Sequence, residues 1–334
     1  MTTPPIRFAN AIAAADLPLA VGPAISTASH EEMFVSLVIN IIAAEKSTRI
    51  HEVIRKITRD FKASGDVAAP VWLSPDRACD IAVSLASPEL AEILPRGYLR
   101  MGDGVDVNVL PAENRRKTLL VADMDSTIIG CECLDELADI AHLKPQIAAI
   151  TERAMAGEIA FEPALRERVA LLKGLSLDAL ARTYKERVRL NPGARTLVAT
   201  MKKHSARTCL VSGGFTYFTE HVGVAAGFDD QQANILLDDG ERLTGEVKEP
   251  ILGREAKLAA LKKEIAALKI SPDDALAVGD GANDLAMIEH AGMGVAYHAK
   301  PILAEAASAR IDHNDLTALL YLQGYRDEEF ANAG

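Results

Sequence analysis

The sequence predicts an α/β protein with an open parallel sheet, a helical insert within it, and a separate N-terminal domain of α/β or α+β type. Three observations carry that prediction. From residue 117 onward, short apolar runs alternate with segments of helical periodicity, the arrangement of a parallel sheet with crossover helices. Three of those runs end in acidic, hydroxyl or glycine residues, and in open α/β sheets ligands bind at the carboxyl ends of the strands. The chain has 334 residues, more than the roughly 100–200 of one domain, so a second domain is expected.

Composition narrows the partners. Lys plus Arg total 36 against 47 Asp plus Glu, a formal charge of -11, and aromatic residues are 4%. There is neither a basic field nor a stacking platform for nucleic acid, so no nucleic-acid partner is expected. With 49% apolar and 25% charged residues, the chain has the material for a packed core. The longest apolar run, Met33 to Ala44, is shorter than the roughly 20 residues of a membrane helix and is interrupted by Ser36 and Asn40, so no span is expected. One basic residue, Arg7, and an Ala-rich stretch broken by Asn10 and Asp16 do not make a secretory signal. Of the four cysteines only Cys131 and Cys133 are close together, which fits reduced thiols. The expected location is cytoplasmic.

In the N-terminal part, the β-branched run Phe34 to Ile42 reads as buried strand or buried helix, and periodicity does not separate the two. Ile50, Val53, Ile54 and Ile57 recur at helical spacing in a charged segment and predict an amphipathic helix. Gly102-Asp103-Gly104 reads as a turn, followed by the alternating Val105, Val107 and Val109. Pro111 and the polar run Glu113 to Lys117 read as a linker, which puts the boundary near residue 112 and divides the chain into 1–112 and 113–334. Nothing in residues 1–112 matches an amino-acid-binding motif; regulation or formation of a homodimer is the expected role.

In the second part, Thr118 to Ala122 leads into Asp123-Met124-Asp125-Ser126-Thr127, Thr208 to Val211 into Ser212-Gly213-Gly214, and Ala275 to Val278 into Gly279-Asp280-Gly281-Ala282-Asn283-Asp284. Leu258, Leu261, Ile265 and Leu268 predict a helix starting near Arg254, and Asn283 reads as the N-cap of a helix ending at Gly292. Asp239-Gly240 between apolar runs predicts a hairpin within 234–247. About eighty residues separate the first two strands, far more than a crossover needs. Leu134, Leu137, Ala138 and Ala141, then Leu165, Val169 and Leu172, make this excess helical, and it is expected to lie over the polar strand ends as a cap, about 131–195.

The chemistry follows from what meets at that edge. Asp123 and Asp125 share one side of an extended chain, and once the chain leaves the strand Asp125 can turn back toward the same centre. With Asp280 and Asp284 added, four carboxylates converge, which is tolerable only with a cation or partial protonation, and hard oxygen donors suit Mg2+. Such an ion usually works with substrate phosphate. The rest of the edge suits that anion: the Ser212 hydroxyl, the accessible backbone at Gly213 and Gly214, and Lys257 near a helix start.

These four ordered motifs, with Phe215 completing the second, resemble those of the haloacid-dehalogenase-like phosphatases over about residues 117–320. Within them the insert resembles that of the phosphoserine phosphatase family at Glu132, Met155-Ala156-Gly157, Phe161 and Leu165-Arg166-Glu167-Arg168-Val169. The resemblance implies a Rossmann-like parallel sheet with a helical cap, and Mg2+-dependent hydrolysis of O-phosphoserine, the last step of serine biosynthesis. It also implies roles. Asp123 is the nucleophile that becomes an aspartyl phosphate, and Asp125 is the acid and then the base. Mg2+ is held by Asp123, the main-chain carbonyl of Asp125 and Asp280, with Asp284 in support. Ser212, Gly213 and Lys257 hold the phosphoryl oxygens, and Asn283 fixes that loop.

Phosphoserine carries an ammonium and a carboxylate besides its phosphate, so a selective pocket needs one further acid and one further base. Glu132 and Arg168 are expected to supply them, with Met155 and Phe161 closing over the substrate. Two alternatives remain at this level. A receiver-like phosphoacceptor also uses a strand-end aspartate, Mg2+ and a lysine, but needs neither Asp125 nor a cap. A phosphatase or phosphotransferase for another small phosphoester would share every motif.

Overall fold

The computed structural model describes residues 35–61, 66–85, 97–98, 104–155 and 158–332. Gly102 and Asp103, Ala156 and Gly157, and the side chain of Met155 lie outside these. The first unit is an antiparallel sheet built from β1 (Val35–Ala43), β2 (Asp66–Val67), β3 (Val71–Ser74), β4 (Ala78–Leu85), β5 (Gly97–Tyr98) and β6 (Val105–Pro111). Helix α1 (Arg49–Phe61) follows β1. Of the run from Phe34 to Ile42, the described residues Val35 to Ile42 are therefore strand, not helix. The order β4-β1-β6 puts the first strand at the centre, with β3 beyond β4 and β5 beyond β6. α1 buries Ile50, Val53, Ile57 and Phe61 against Ile39, Ile41, Ile81, Val107 and Val109, because residues two apart in a strand share a face.

The opposite face of this sheet carries Ile42, Ala78 and Leu110 into the main core, together with buried polar side chains. Asn40, Asp106 and Asn108 are all 0% exposed. Asn40 donates to Asp80 (2.7 Å) and to the Tyr321 carbonyl (3.0 Å). Asp106 accepts the backbone N–H groups of Asp312, His313 and Asn314. Asn108 both donates to and accepts from the backbone of Arg310. The alternating valines of β6 are thus half of a strand buried on both faces. In the polar run after it Glu113, Asn114 and Arg116 are exposed, while Arg115 and Lys117 are drawn inward. Arg115 is paired with Asp80 and bonded to the carbonyls of Tyr321 and Leu322, and the Lys117 N–H donates to Gln323.

The second unit is a six-stranded parallel sheet: β7 (Leu119–Ala122), β8 (Arg207–Phe215), β9 (Asp230–Asn234), β12 (Ala275–Gly279), β13 (Met293–Tyr297) and β14 (Ala309–Ile311), with the short hairpin β10 (Leu236–Asp238) and β11 (Leu243–Val247) between β9 and β12. Its order is β14-β13-β12-β7-β8-β9. Strand order reverses between β7 and β12, and a crevice at such a reversal is where this architecture binds ligands. Four helices rise from the β7 end: α2 (Cys133–Ile140), α3 (Lys144–Met155), α4 (Phe161–Ala170) and α5 (Leu177–Arg187). The hairpin is tied to the turn between the last two of these by Gly174 N–H to Leu243 O and Leu243 N–H to Leu175 O.

Helices α6 (Ala194–Lys203), α7 (Thr216–Ala226) and α11 (Ala318–Leu322) cover one face of the parallel sheet, and α8 (Arg254–Leu268), α9 (Leu285–His290) and α10 (Pro301–Ala306) the other. Alternate strand residues feed the two cores: Leu120 and Ala122 pack on the first side, Leu119 and Val121 on the second. Among the described residues, no helix is long and apolar enough to cross a membrane. All four cysteines are free thiols.

Candidate active site

Asp123 is the first residue beyond β7. Its backbone is extended and its N–H donates to Val278 O of β12, so the two central strands stay paired up to the reactive position. The chain then turns sharply: Ser126 has φ 55° and Ile129 N–H closes a wide turn on Met124 O. That reversal brings Asp125 back over the strand ends. Its Oδ1 accepts the Cys133 N–H at the start of α2 (2.8 Å), and its Oδ2 accepts the Ser212 hydroxyl (3.1 Å). Burial, then the charge of Glu132, push the Asp125 carboxyl up to about 6, against the lowering effect of those donors.

Lys257 lies on the first turns of α8 and is buried between two carboxylates, 2.7 Å from Asp123 Oδ1 and 2.5 Å from Asp284 Oδ1. Burial works against its ammonium, but Asp123 and Asp284 outweigh it and hold the pKa above the ordinary lysine value. Burial also raises Asp123, Asp284 adds to it, and Lys257 opposes both. Asp284 is 0% exposed, with Oδ2 held by the Gly281 N–H (3.2 Å). A Cβ at Gly279 would overlap the Asp284 carboxyl, so glycine is what lets this side chain lie flat on the strand end. The helix N-cap is therefore Asp284 and not Asn283, and its carboxylate is given to Lys257 instead of to capping. Asn283 sits exposed on the rim of the cavity.

Oxygens of Asp123, Asp280 and Asp284 all lie within 4.8 Å of one another, and all three residues are buried. Three carboxylates face the buried Lys257 ammonium and, at the rim, the Lys300 ammonium 3.6 Å from Asp280 Oδ2, so negative charge remains in excess. A divalent cation with oxygen preference fits that excess and that donor set. The Asp125 carboxylate is not among these three, since both its oxygens are turned to Cys133 and Ser212.

The cavity these groups enclose has a volume of about 150 Å³ and is also lined by Glu132, Leu134, Phe161, Leu165, Arg168, Ser212, Gly213, Asn283 and Lys300. Glu132 begins α2 and accepts the Ser126 hydroxyl (2.7 Å). Arg168 stands on α4, where burial depresses its pKa while Asp135 and Glu132 sustain its charge. Phe161 lies over the backbone, close enough that a Cβ on Gly213 would meet its ring at 3.5 Å and one on Gly253 at 3.3 Å.

A family profile described as haloacid dehalogenase-like hydrolase matches residues 120–289, about half the chain. The chain belongs to the haloacid dehalogenase-like hydrolase family. Within that family it is 47% identical over 61% of its length to a phosphoserine phosphatase of a Polaromonas species, covering 89% of that protein. A substrate-bound phosphoserine phosphatase structure shares 36% identity with a TM-score of 0.57, over 61% of this chain and 97% of the other. A haloacid dehalogenase-family hydrolase from Salmonella enterica serovar Typhi matches more of the molecule, 86% of this chain and 98% of the other, with TM-score 0.74 and 28% identity.

Every site residue named from the sequence of this hydrolase borders the cavity or its buried floor, except Met155, whose side chain lies outside the described residues. Sequence reasoning missed Lys300, whose ammonium is 3.6 Å from Asp280 Oδ2. Its signal was present: it follows β13, a fourth strand ending at the same edge. The Cys133 N–H on Asp125 had no such signal, because a backbone donor leaves no mark in side-chain chemistry.

Proposed function

We propose that the chain is a phosphoserine phosphatase, hydrolysing O-phosphoserine to serine and phosphate with Mg2+. The observation that carries the reading is the small cavity lined by Asp123, Asp280, Asp125 and Ser212 on one side and Glu132 with Arg168 on the other, over the buried Lys257–Asp284 pair. The names of the Polaromonas relative and of the substrate-bound structure support the same substrate. The four helices from Cys133 to Arg187 act as the cap.

Asp123 Oδ1 is engaged by the Met124 N–H and by Lys257, so Oδ2 is the oxygen proposed to attack phosphorus. As that bond forms, the bond from phosphorus to the serine oxygen breaks, and protonated Asp125 gives its proton to the departing oxygen. Asp125 then takes a proton from water, the water oxygen attacks phosphorus, and the Asp123 ester bond breaks to release phosphate. A carboxyl raised to about 6 suits both tasks, since it holds a proton in one half and yields it readily in the other. Ser212, the Gly213 backbone N–H and Lys257 donate to the phosphoryl oxygens, where charge accumulates. Asp123, Asp280, the Asp125 carbonyl and Asp284 would hold Mg2+, which would supply neutralising charge to the same oxygens. Arg168 pairs with the substrate carboxylate and Glu132 with its ammonium, and the ring of Phe161 excludes water.

The test is a panel of phosphoserine, phosphothreonine and an aryl phosphate, with phosphate release measured with and without Mg2+. Preference for phosphoserine, lost on chelation, is expected. Release undiminished by rigorous chelation, or no preference among the three, overturns the reading.

A further inference from the structure

One buried amide outside the motifs governs the loop that meets the phosphoryl group. Asn234 closes β9, is 2% exposed, and does not line the cavity. Its Nδ2 donates to Gly213 O (2.9 Å) and to Leu252 O (3.2 Å), while its Oδ1 accepts the Leu252 N–H (2.7 Å). One side chain thus joins the loop ending β8 to the loop entering α8.

The consequence lies in the geometry of the peptide unit. In a planar trans peptide the carbonyl and the following N–H point in opposite directions. Holding Gly213 O toward Asn234 therefore turns the Gly214 N–H the other way, where it donates to Ser212 Oγ (2.8 Å). With that N–H supplying a donor, the Ser212 hydroxyl directs its own proton to Asp125 Oδ2 (3.1 Å). The relay runs from Asn234 through one peptide plane and one hydroxyl to the general acid. The same amide also fixes the spacing of Gly213 and Gly253, the two backbone positions beneath the Phe161 ring.

We propose that Asn234 is a positioning residue for phosphoryl transfer: by fixing the Gly213–Gly214 peptide, whose Gly214 N–H holds Ser212 Oγ, it sets the place of the hydroxyl that lines the cavity beside Asp125. The proposal rests on reading the cavity as a phosphoryl site. Asn234 touches no substrate, and its effect passes through Ser212.

A double-mutant cycle tests this with Asn234→Ala, Ser212→Ala and the combination, in the full chain with Mg2+. Affinity for inorganic phosphate is measured by calorimetry, and kcat and KM are measured with phosphoserine. Each single change is expected to weaken phosphate binding roughly tenfold, the worth of about one lost hydrogen bond. The double variant is expected to be no weaker than the weaker single, because the two residues act in series. In Asn234→Ala, kcat should fall more than KM rises. Asn234→Ser keeps a polar group beside Leu252 but is one bond shorter than the amide, and it guards against a folding failure of the alanine variant; it should show the same loss with its melting temperature retained. Additive losses in the cycle, or wild-type phosphate affinity in a folded Asn234→Ser protein, overturn the proposal. Failure of the phosphatase reading would show separately, as wild-type protein that neither binds phosphate nor releases it from phosphoserine.

Discussion

Replacing Lys257 with methionine isolates the electrostatics of the site. The methionine side chain has similar length and fills the same space, but it leaves Asp123 and Asp284 without the ammonium now 2.7 and 2.5 Å away. Both carboxylates are nearly inaccessible to water, so hydration cannot replace the lost partner. Breaking a buried ion pair in this way costs about 3–5 kcal/mol. At roughly 2–4 °C per kcal/mol for a domain of this size, the melting temperature should fall by about 10 °C. Catalysis should fall independently, by about 100-fold or more in kcat, because a donor to the phosphoryl oxygens is lost. Calorimetric melting with and without Mg2+ separates the effects. The variant should recover part of its stability with Mg2+, which restores positive charge, while kcat stays low at saturating Mg2+. A variant that melts with the wild type in the absence of divalent ions would refute the claim that this ammonium neutralises the two carboxylates.

The remaining predictions concern the two half-reactions, recognition and the docked sheet. Asp123→Asn should abolish turnover, and rapid acid quench with labelled phosphoserine should trap phosphate on Asp123 in the wild type; repeated failure to find a phosphoenzyme counts against the covalent route. Asp125→Asn should slow both formation and breakdown of that intermediate, read by single-turnover kinetics. Arg168→Ala or Glu132→Gln should raise KM for phosphoserine far more than for an aryl phosphate, and Arg168→Lys should not rescue fully because an ammonium lacks the planar two-pronged contact; equal losses on both substrates would misplace the recognition groups. Asp106→Ala strands the N–H groups of Asp312, His313 and Asn314 in the interface, so stability should drop by about 3 kcal/mol with KM unchanged, measured by denaturant melts and steady-state kinetics.

The catalytic edge was legible in the sequence because each part of it is local. A buried apolar strand must shed its polar residues at its end, so Asp123, Ser212 and Asp280 announce themselves as abrupt changes from apolar to polar character. Glycines beside them mark places where backbones approach closely. Long-range pairing left weaker traces. The N-cap signal at Asn283 was a local preference overridden by Asp284, whose carboxylate is worth more to a buried lysine than to a helix end. The alternation of valines in β6 leaves the place of Asp106 and Asn108 open, and they are buried because backbone groups some two hundred residues away satisfy them. The polar run from Glu113 to Lys117 reads as linker for the same reason: charge predicts exposure only until a partner arrives. Asn234 shows the limit most clearly. Composition and spacing give a lone asparagine at a strand end no distinction, and only the fold brings Gly213 and Leu252 within reach of its amide. Sequence alone determined which groups gather at the strand ends; the tertiary structure decided which way they point, since direction is set by hydrogen bonds between segments far apart in the chain.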